Sequence, residues 1–148
     1  MEILPYLPEH KQAVLDIFQA NVPEHFAQEE IDQLAIYLDK SREDFFVLQG
    51  DEGFVGAGGI NYNKEDNYAV LSWAAVHPVH QRKGYGSLLT RHRLKHIVDH
   101  TSFPKTIVRT SQTAYQFYQK MGFELQYTKE DFWAKGFDLY YMTREMNR

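Results

Sequence analysis

The segment 76–89 holds the residues best suited to binding a charged ligand. It reads Val-His-Pro-Val-His-Gln-Arg-Lys-Gly-Tyr-Gly-Ser-Leu-Leu, a loop with Gly84 and Gly86 that leads into a helical pattern. Glycines let the backbone curl closely around a ligand, and the first N–H groups of a helix lack internal partners. Such amides, with the helix dipole and the side chains of Arg82 and Lys83, would attract a phosphate or pyrophosphate.

The net charge of −4 conceals one cationic segment. No acidic residue lies between Asp66 and Asp99. The basic residues in this interval are Arg82, Lys83, Arg91, Arg93 and Lys95. Arg82 and Lys83 lie in the loop and would attract a polyanionic ligand. The simpler interpretation of Arg91, Arg93 and Lys95 is that they form a solvated helix face. Because the rest of the chain is acidic, we expect no nucleic-acid partner.

Two motifs resemble those of the GNAT acetyltransferase superfamily. Residues 81–86, Gln-Arg-Lys-Gly-Tyr-Gly, match its Q/R-x-x-G-x-G/A signature, with Val-x-Pro before it and a leucine-rich helix after it. Residues 114–123, Ala-Tyr-Gln-Phe-Tyr-Gln-Lys-Met-Gly-Phe, look like the A-x-x-F-Y-x-K-x-G-F helix and turn of the same superfamily. The Walker and dinucleotide-binding patterns are not matched. The resemblance covers essentially the whole chain and implies one N-acetyltransferase domain over residues 1–148.

By this resemblance, the protein would transfer an acetyl group from acetyl-CoA to a primary amine of a small molecule or peptide, by direct attack and without a metal. The CoA pyrophosphate would be held by residues of the loop and the helix start, namely Gln81, Arg82, Lys83, Gly84, Tyr85, Gly86 and Ser87. Ala75 and Val76 would hydrogen-bond the pantetheine arm like an added strand. Ser111, where relatives often carry Asn, would contact CoA. Tyr118 would protonate the departing sulfur, a role that suits a phenol with a reference pKa of about 10.

The general base is left open by the sequence. Many relatives carry a glutamate on the strand that corresponds to 68–76, but this segment has no carboxylate. The base is then His77, His80 or a water-mediated group, and Ser72 and Trp73 are candidates to line the acceptor site. The missing carboxylate also raises an alternative, a catalytically weak CoA-binding module that acts through a partner.

Two further clusters each have a functional and a simpler interpretation. The residues around the junction of the first two predicted helices are Glu24, His25, Glu29, Glu30 and Asp32. They would form an acidic lip that attracts a cationic amine, or else the solvated start of a helix. A second cluster, His92, His96 and His100, recurs at i, i+4 and i+8. No carboxylate completes a ligand set, so a solvated face is the simpler interpretation and we expect no metal.

The elements that must position these residues follow from periodicity and turn signals. We predict strands over 2–6, 45–49, 54–62, 68–76, 105–109, 123–128 and 138–146, and helices after Pro8, after Pro23, over 87–99 and over 113–121. A strand–helix–strand passage within an otherwise antiparallel sheet implies one right-handed crossover. The predicted fold class is mixed α/β: a single domain with a mostly antiparallel mixed sheet, one parallel βαβ crossover and about four flanking helices.

Composition narrows the class of protein. The chain has 148 residues, of which 43% are hydrophobic, enough for one core. It has no cysteine, which excludes disulfides, thiolate zinc sites and a cysteine nucleophile. The absence of a long apolar run and of a leader pattern predicts a cytoplasmic protein without a membrane partner. A homodimer is possible.

Overall fold

Seven strands form a single sheet in the computed structural model, which describes residues 1–146. The strands are β1 (Glu2–Pro5), β2 (Asp44–Gly50), β3 (Gly53–Asn63), β4 (Tyr68–Val76), β5 (Lys105–Thr110), β6 (Glu124–Ala134) and β7 (Phe137–Glu145). Their order in the sheet is β1-β2-β3-β4-β5-β7-β6, with β4 and β5 parallel and the other neighbours antiparallel. The last two residues of the predicted domain lie outside the described part.

Four α-helices and two short 3-10 turns cover the sheet. The helices are α1 (Lys11–Gln19), α2 (Gln28–Lys40), α3 (Tyr85–His100) and α4 (Tyr115–Lys120), and the turns are Pro8–His10 and Pro78–His80. Because α3 connects the parallel strands β4 and β5, it forms the expected βαβ crossover. The predicted mixed α/β fold with one crossover is therefore confirmed.

The core lies on both faces of the sheet. Val14 and Phe18 of α1 pack with Leu34 of α2 on one face, and Leu89 and Ile97 of α3 belong to the cluster on the other. Along β2, Phe45 and Val47 join the first cluster while Phe46 joins the second, as alternation in a strand covered on both faces requires. The sheet is thus the middle of three layers.

Three predicted boundaries differ from the structure. Helix α3 begins at Tyr85, two residues earlier than predicted, because Gly84 (φ 83°) caps it in the left-handed conformation. Helix α4 is confined to Tyr115–Lys120 because Ala114 (φ −129°) is not yet helical. Strand β6 runs to Ala134, six residues beyond the prediction. Nearly all of β6 is exposed, so no buried alternation marked its length in the sequence.

Strands β4 and β5 pair along only part of their length. The parallel ladder joins Tyr68–Leu71 to Lys105–Val108 and ends there, so the second half of β4 has no pairing with β5. Near this point a bulge interrupts the β3–β4 ladder, since Gly58 pairs with Ala74 and Gly59 with Ser72 while Trp73 (φ 47°) is left over. The two strands therefore separate and open a cleft between them.

Candidate active site

The cleft has a volume of about 800 Å³. Its walls come from the second half of β4, the start of α3, the end of β5, helix α4 and the junction between α1 and α2. Most of the residues selected from the sequence therefore meet in one place. The residues of the sequence-predicted cofactor set that line it are Ala75, Val76, Gln81, Arg82, Gly84, Tyr85, Gly86, Ser87 and Ser111. Lys83 lies within the same loop and is exposed.

The glycine loop, residues 81–86, forms an anion cradle at the start of α3. Arg82 (φ 65°) and Gly84 (φ 83°) both adopt left-handed backbone conformations, which turn successive N–H groups to one side. A Cβ atom on residue 84 would meet nothing within 4 Å, so there is room for a side chain. Glycine is favoured here because of the positive φ. Within the described chain, the main-chain amides from Arg82 to Ser87 show no hydrogen-bond partner. These N–H groups can therefore donate hydrogen bonds to a ligand.

The loop is anchored to the end of β4 by two amide side chains, those of the buried Asn21 and the partly buried Gln81. The Gln81 Nε2 donates to the main-chain oxygen of Val76 at 2.9 Å and to the Asn21 Oδ1 at 2.9 Å. Asn21 in turn donates to the same Val76 oxygen at 3.1 Å and to the Ile17 oxygen at 2.9 Å. The Gln81 side chain thus holds the loop against β4. The contact with CoA that the sequence predicts for Gln81 would therefore have to come from its main chain.

Alternation along β4 decides which main-chain groups face the cleft. The N–H of His77 donates to the oxygen of Val55 at 2.8 Å, so His77 belongs to a hydrogen-bonded pair with β3. In an antiparallel ladder the next residue then points its N–H and C=O away from that neighbour. This places the N–H of Val76 and of Ala74 on the cleft side, and that of Ala75 toward β3. Of the two predicted strand contacts, Val76 faces the cleft through its main chain and Ala75 does not.

The second motif packs directly against the first. A Cβ atom on Gly86 would lie 3.6 Å from the ring of Phe117, so α4 sits against the start of α3 in ordinary contact. Ser111, 8% exposed, bonds to the Thr113 hydroxyl at 2.9 Å and caps the turn before α4 with its main-chain oxygen. Its hydroxyl lines the cleft but is already engaged within the protein.

Tyr118 lies on the cleft wall formed by α4 and is 7% exposed. Its ring makes edge contacts with Phe117 and Phe123, at 5.1 and 5.7 Å between centroids. These contacts hold the ring in the core while leaving it adjacent to the cleft. Both interpretations of a helix tyrosine, core packing and a catalytic hydroxyl, are therefore compatible with its position.

The aromatic rings of Trp73 and Phe26 line another wall of the cleft and pack with further rings behind it. Trp73 lies 6.0 Å from Phe18, 6.4 Å from Phe26 and 6.1 Å from Tyr37, centroid to centroid. Burial raises the pKa of Tyr37 to about 12, and a hydrogen bond with Ser72 opposes this rise. Ser72 and Trp73 line the cleft, in agreement with the acceptor-site hypothesis.

The acidic lip is reduced to one inward carboxylate. Glu30 is 5% exposed, lines the cleft and accepts a hydrogen bond from the Ala27 N–H at 3.2 Å. Burial raises the pKa of Glu30, and the bond from Ala27 opposes that rise. Its neighbour His25 also lines the cleft. The remaining acids of the cluster are exposed: Glu24, Glu29 and Asp32.

The candidate histidines separate into different environments. His80 lines the cleft, whereas His77 accepts a hydrogen bond from the Val79 N–H at 3.3 Å through Nδ1 and is not part of the cleft wall. On α3, His92 and His96 pack edge-on against Phe46, so the interpretation of a fully solvated histidine face is wrong for these two. Across residues 1–146, no group of three or more His, Cys, Asp or Glu side chains is arranged to hold a metal ion.

The interpretation of Arg93 as part of a solvated face is also wrong. Arg91 and Lys95 are exposed, and Lys95 pairs with Asp99 at 2.6 Å, but Arg93 is 0% exposed and lines the cleft. Helix α3 has apolar residues around more than one face, so periodicity does not separate its inner positions from its outer ones.

Sequence reasoning also missed residues that close the cleft from β5 and from the β6–β7 hairpin. Arg109 and Thr110 line it from the end of β5, and Trp133 and Phe137 line it from the hairpin. Trp133 donates its indole N–H to the Thr110 oxygen at 3.0 Å, which ties the hairpin to β5. The sequence signal for these residues is the segment 133–142, which also looks similar to the corresponding part of GNAT family members.

Comparisons with known proteins place this architecture. A Desulfovibrio desulfuricans protein assigned to the GNAT family superimposes with a TM-score of 0.82 at 21% identity, covering 99% of both chains. The Escherichia coli ribosomal-protein-S18-alanine N-acetyltransferase gives 0.81 at 16% identity, covering 99% of this chain and 94% of that one. An aminoglycoside 6'-N-acetyltransferase complexed with coenzyme A gives 0.79 at 13%, covering 100% and 98%. At these identities the structures show a shared fold.

The sequence itself carries the family assignment. A search of curated proteins finds no match. Across the described helices, none combines the length and hydrophobicity needed to traverse a bilayer. The profile of the family "Acetyltransferase (GNAT) domain", however, matches residues 7–146. Because this match spans nearly the whole chain, the protein belongs to the GNAT acetyltransferase family.

Proposed function

We propose that this protein transfers the acetyl group of acetyl-CoA to a primary amine of a small molecule or peptide. One observation carries the proposal: the cleft between β4 and β5 has unbonded loop amides at one end and the Tyr118 ring on its wall. A thioester-bearing nucleotide has a diphosphate that the loop amides can bind and a reacting sulfur that Tyr118 can protonate. The family assignment and the CoA complex of one structural neighbour support this choice of donor.

The loop would bind the diphosphate by its main chain. The amides from Arg82 to Ser87 supply donors, the helix dipole adds positive potential, and the exposed side chains of Arg82 and Lys83 add full charges. The pantetheine arm would then run along β4, where the N–H groups of Val76 and Ala74 face the cleft. Pantetheine contains two amides, so it can pair with a strand edge as a peptide does.

The reaction would need the amine and the thioester to be held in position, and no covalent enzyme intermediate. The neutral amine attacks the thioester carbonyl, the carbon–sulfur bond breaks, and Tyr118 gives its proton to the sulfur. The acceptor would lie between Trp73 and Glu30. A carboxylate in that wall would attract the cationic form of an amine, and proton removal would pass through His80, Glu30 or water, since β4 has no carboxylate.

The alternative is a catalytically weak CoA-binding module that acts through a partner. The specific observation in its favour is that same lack of a carboxylate on β4. Nucleic-acid binding has less support, because the basic residues do not form one cationic surface. Arg82 and Lys83 lie in the loop, Lys95 pairs with Asp99, and Arg93 is buried. Cytoplasmic location and a homodimer remain predictions, to be checked by cell fractionation and by sedimentation.

The deciding experiment uses acetyl-CoA, a broad panel of amines, a thiol-release assay and calorimetric titration with CoA. Turnover with any amine establishes the transferase. Tight CoA binding without turnover supports the module instead. Failure of both measurements would contradict the CoA-binding proposal altogether.

A further inference from the structure

Arg93 is the largest fully buried side chain of the described protein. It projects from α3 toward the sheet, where its Nη1 donates to the main-chain oxygen of Gly59 at 3.0 Å. Its other two nitrogens, Nε and Nη2, are buried and have no hydrogen-bond partner among residues 1–146. Burying a charge with unsatisfied donors is costly, so this arrangement is hard to explain by stability alone.

The guanidinium occupies a space that the bulge and a glycine leave open. A Cβ atom on Gly58 would lie 3.1 Å from the guanidinium carbon of Arg93 and 3.1 Å from the Trp73 oxygen. Any larger residue at position 58 would therefore crowd the charge. Gly58 pairs with Ala74 beside the bulge, so the guanidinium lies near the point where β4 leaves β5. Arg93 thus sits at the base of the cleft.

The groups around Arg93 are phenols and not carboxylates. Burial lowers the pKa of Arg93, while interactions with Tyr118 and Tyr37 raise it. Tyr118 lines the same cleft as Arg93, whose Nε and Nη2 have no hydrogen-bond partner among residues 1–146. Other titratable groups that line the cleft are His25, Glu30, His80, Arg82, Tyr85 and Arg109.

A desolvated cation at this position favours negative charge that forms beside it. In the proposed reaction, the amine nitrogen bonds to the thioester carbon and the sulfur leaves with the electron pair of the broken bond. Tyr118 transfers its proton to that sulfur and becomes a phenolate, which regains a proton from the new amide nitrogen through solvent. Negative charge therefore develops first on the sulfur and then on the oxygen of Tyr118, a residue that lines the same cleft as Arg93.

We propose that the buried guanidinium of Arg93 stabilises the negative charge that develops during the transfer on the leaving sulfur and on the Tyr118 oxygen. The inference rests on the proposed function and adds a group outside both sequence motifs. It assigns a purpose to the two unpartnered nitrogens, which remain available for the charge that appears during reaction.

The kinetic test compares Arg93→Gln, which keeps a donor for Gly59 but loses the charge, with Arg93→Lys, which keeps the charge. We expect Arg93→Gln to lower kcat by about 10- to 100-fold with the KM for acetyl-CoA changed less than about twofold, and Arg93→Lys to retain most of the rate. In a Tyr118→Phe background, Arg93→Gln should still lower kcat at least about tenfold, because the sulfur then leaves with the full charge that the guanidinium stabilises. An unchanged kcat of Arg93→Gln in both backgrounds would overturn the inference.

A second readout needs no acceptor. The absorbance of the thiolate reports titration of the CoA thiol while CoA is bound. A nearby cation favours the thiolate, so the bound thiol should titrate at lower pH in the wild type and in Arg93→Lys than in Arg93→Gln. All other groups of the cleft are shared by these variants. An identical titration in all three proteins would overturn the inference even if no amine is ever acetylated, while absence of turnover alone would contradict only the proposed function.

Thermal unfolding separates this role from a structural one. If Arg93 served the fold, neutral variants would melt at lower temperature. We expect Arg93→Gln and Arg93→Met to melt no lower than the wild type, because they remove an uncompensated buried charge. Should Arg93→Gln fail to fold, Arg93→Met carries the thiol titration, and collapse of both neutral variants would establish the structural role and overturn the inference.

Discussion

The side-chain amide of Gln81 donates to the main-chain oxygen of Val76 at 2.9 Å. This bond spans the 3-10 turn at Pro78–His80 and ties the glycine loop to the end of β4. Asn21 donates to the same oxygen from the end of α1, so three separate elements meet at one carbonyl group. The position of the anion cradle relative to the strand is therefore set by partly buried hydrogen bonds.

Asn21→Ala should destabilise the protein by about 1–3 kcal/mol, because it leaves buried polar groups of Gln81 and Ile17 with fewer partners. Urea denaturation measures the effect. Gln12→Ala is the matched control, since the Gln12 amide donates to Asp16 on the exposed face of α1 and has no other hydrogen bond within residues 1–146. Equal stability of the two variants would show that the anchor is dispensable.

Tyr118→Phe should lower kcat about 100-fold while the affinity for CoA changes little. The substitution removes the proposed proton donor but keeps the ring and its contacts with Phe117 and Phe123. Thiol release gives kcat, and calorimetric titration gives the affinity. An unchanged kcat would remove Tyr118 from the acid role.

Gly84→Ala should weaken CoA binding by about tenfold. Residue 84 has a φ of 83°, and an alanine there is strained by roughly 1–2 kcal/mol, which the loop can relieve only by moving its amides. Gly53→Ala is the control, because position 53 (φ 128°) would also strain an alanine and also has open space, but it begins β3 and does not line the cleft. If both variants lose CoA affinity equally, the effect is one of stability and not of the cradle.

Glu30→Gln should raise the KM for a cationic amine about fivefold, while Glu29→Gln leaves it unchanged. The two residues are neighbours on α2, but only Glu30 lines the cleft. Gln retains the oxygen that accepts from the Ala27 N–H, so the first turn of the helix is preserved. Initial-rate measurements over a range of amine concentrations decide the point.

The pH dependence of the stability of Glu30→Gln tests whether burial raises the pKa of the Glu30 carboxyl. Because burial raises the pKa of Glu30, the folded protein holds that proton more tightly than the unfolded chain does. Wild-type stability should therefore fall as pH rises from the unfolded glutamate pKa through the folded one, and this loss should be missing in the variant. A parallel pH dependence in both proteins would contradict the assignment.

Hydrogen exchange should distinguish neighbouring residues of β4. The N–H of Ala75 faces β3 and should be protected with or without CoA, whereas those of Ala74 and Val76 face the cleft and should become protected only when CoA binds. Amide exchange followed by NMR gives all three rates in one experiment. Uniform protection of the three amides without ligand would place the pantetheine arm elsewhere.

The elements with strong local signals were predictable from the sequence. Pro78, Gly84 and Gly86 marked the loop, and the apolar stripe from Ile31 to Leu38 marked α2. The two motifs pack against each other at the wall of one cleft, where Gly86 contacts Phe117. Local chemistry determines such features, since turns, caps and amphipathic faces depend on residues close in the chain.

The remaining features depend on contacts between distant segments. Burial of Arg93 requires Gly58 and the bulge at Trp73, which belong to strands far from α3 in sequence. The inward position of Glu30 depends on how α2 packs against the sheet, and charged residues at a helix start usually face solvent. The alternation that separates Ala75 from Val76 follows from register, which a single strand does not reveal.

The partial ladder between β4 and β5 has a consequence for the lifetime of the protein. An occupant of the cleft that pairs with β4 would complete hydrogen bonding that the polypeptide by itself leaves open, and a ligand that prefers the folded state raises resistance to heat and proteases. If that occupant is the proposed donor, acetyl-CoA, the chain would be cleared faster when the donor is scarce. Its abundance would then follow the supply of that donor, without any dedicated regulator.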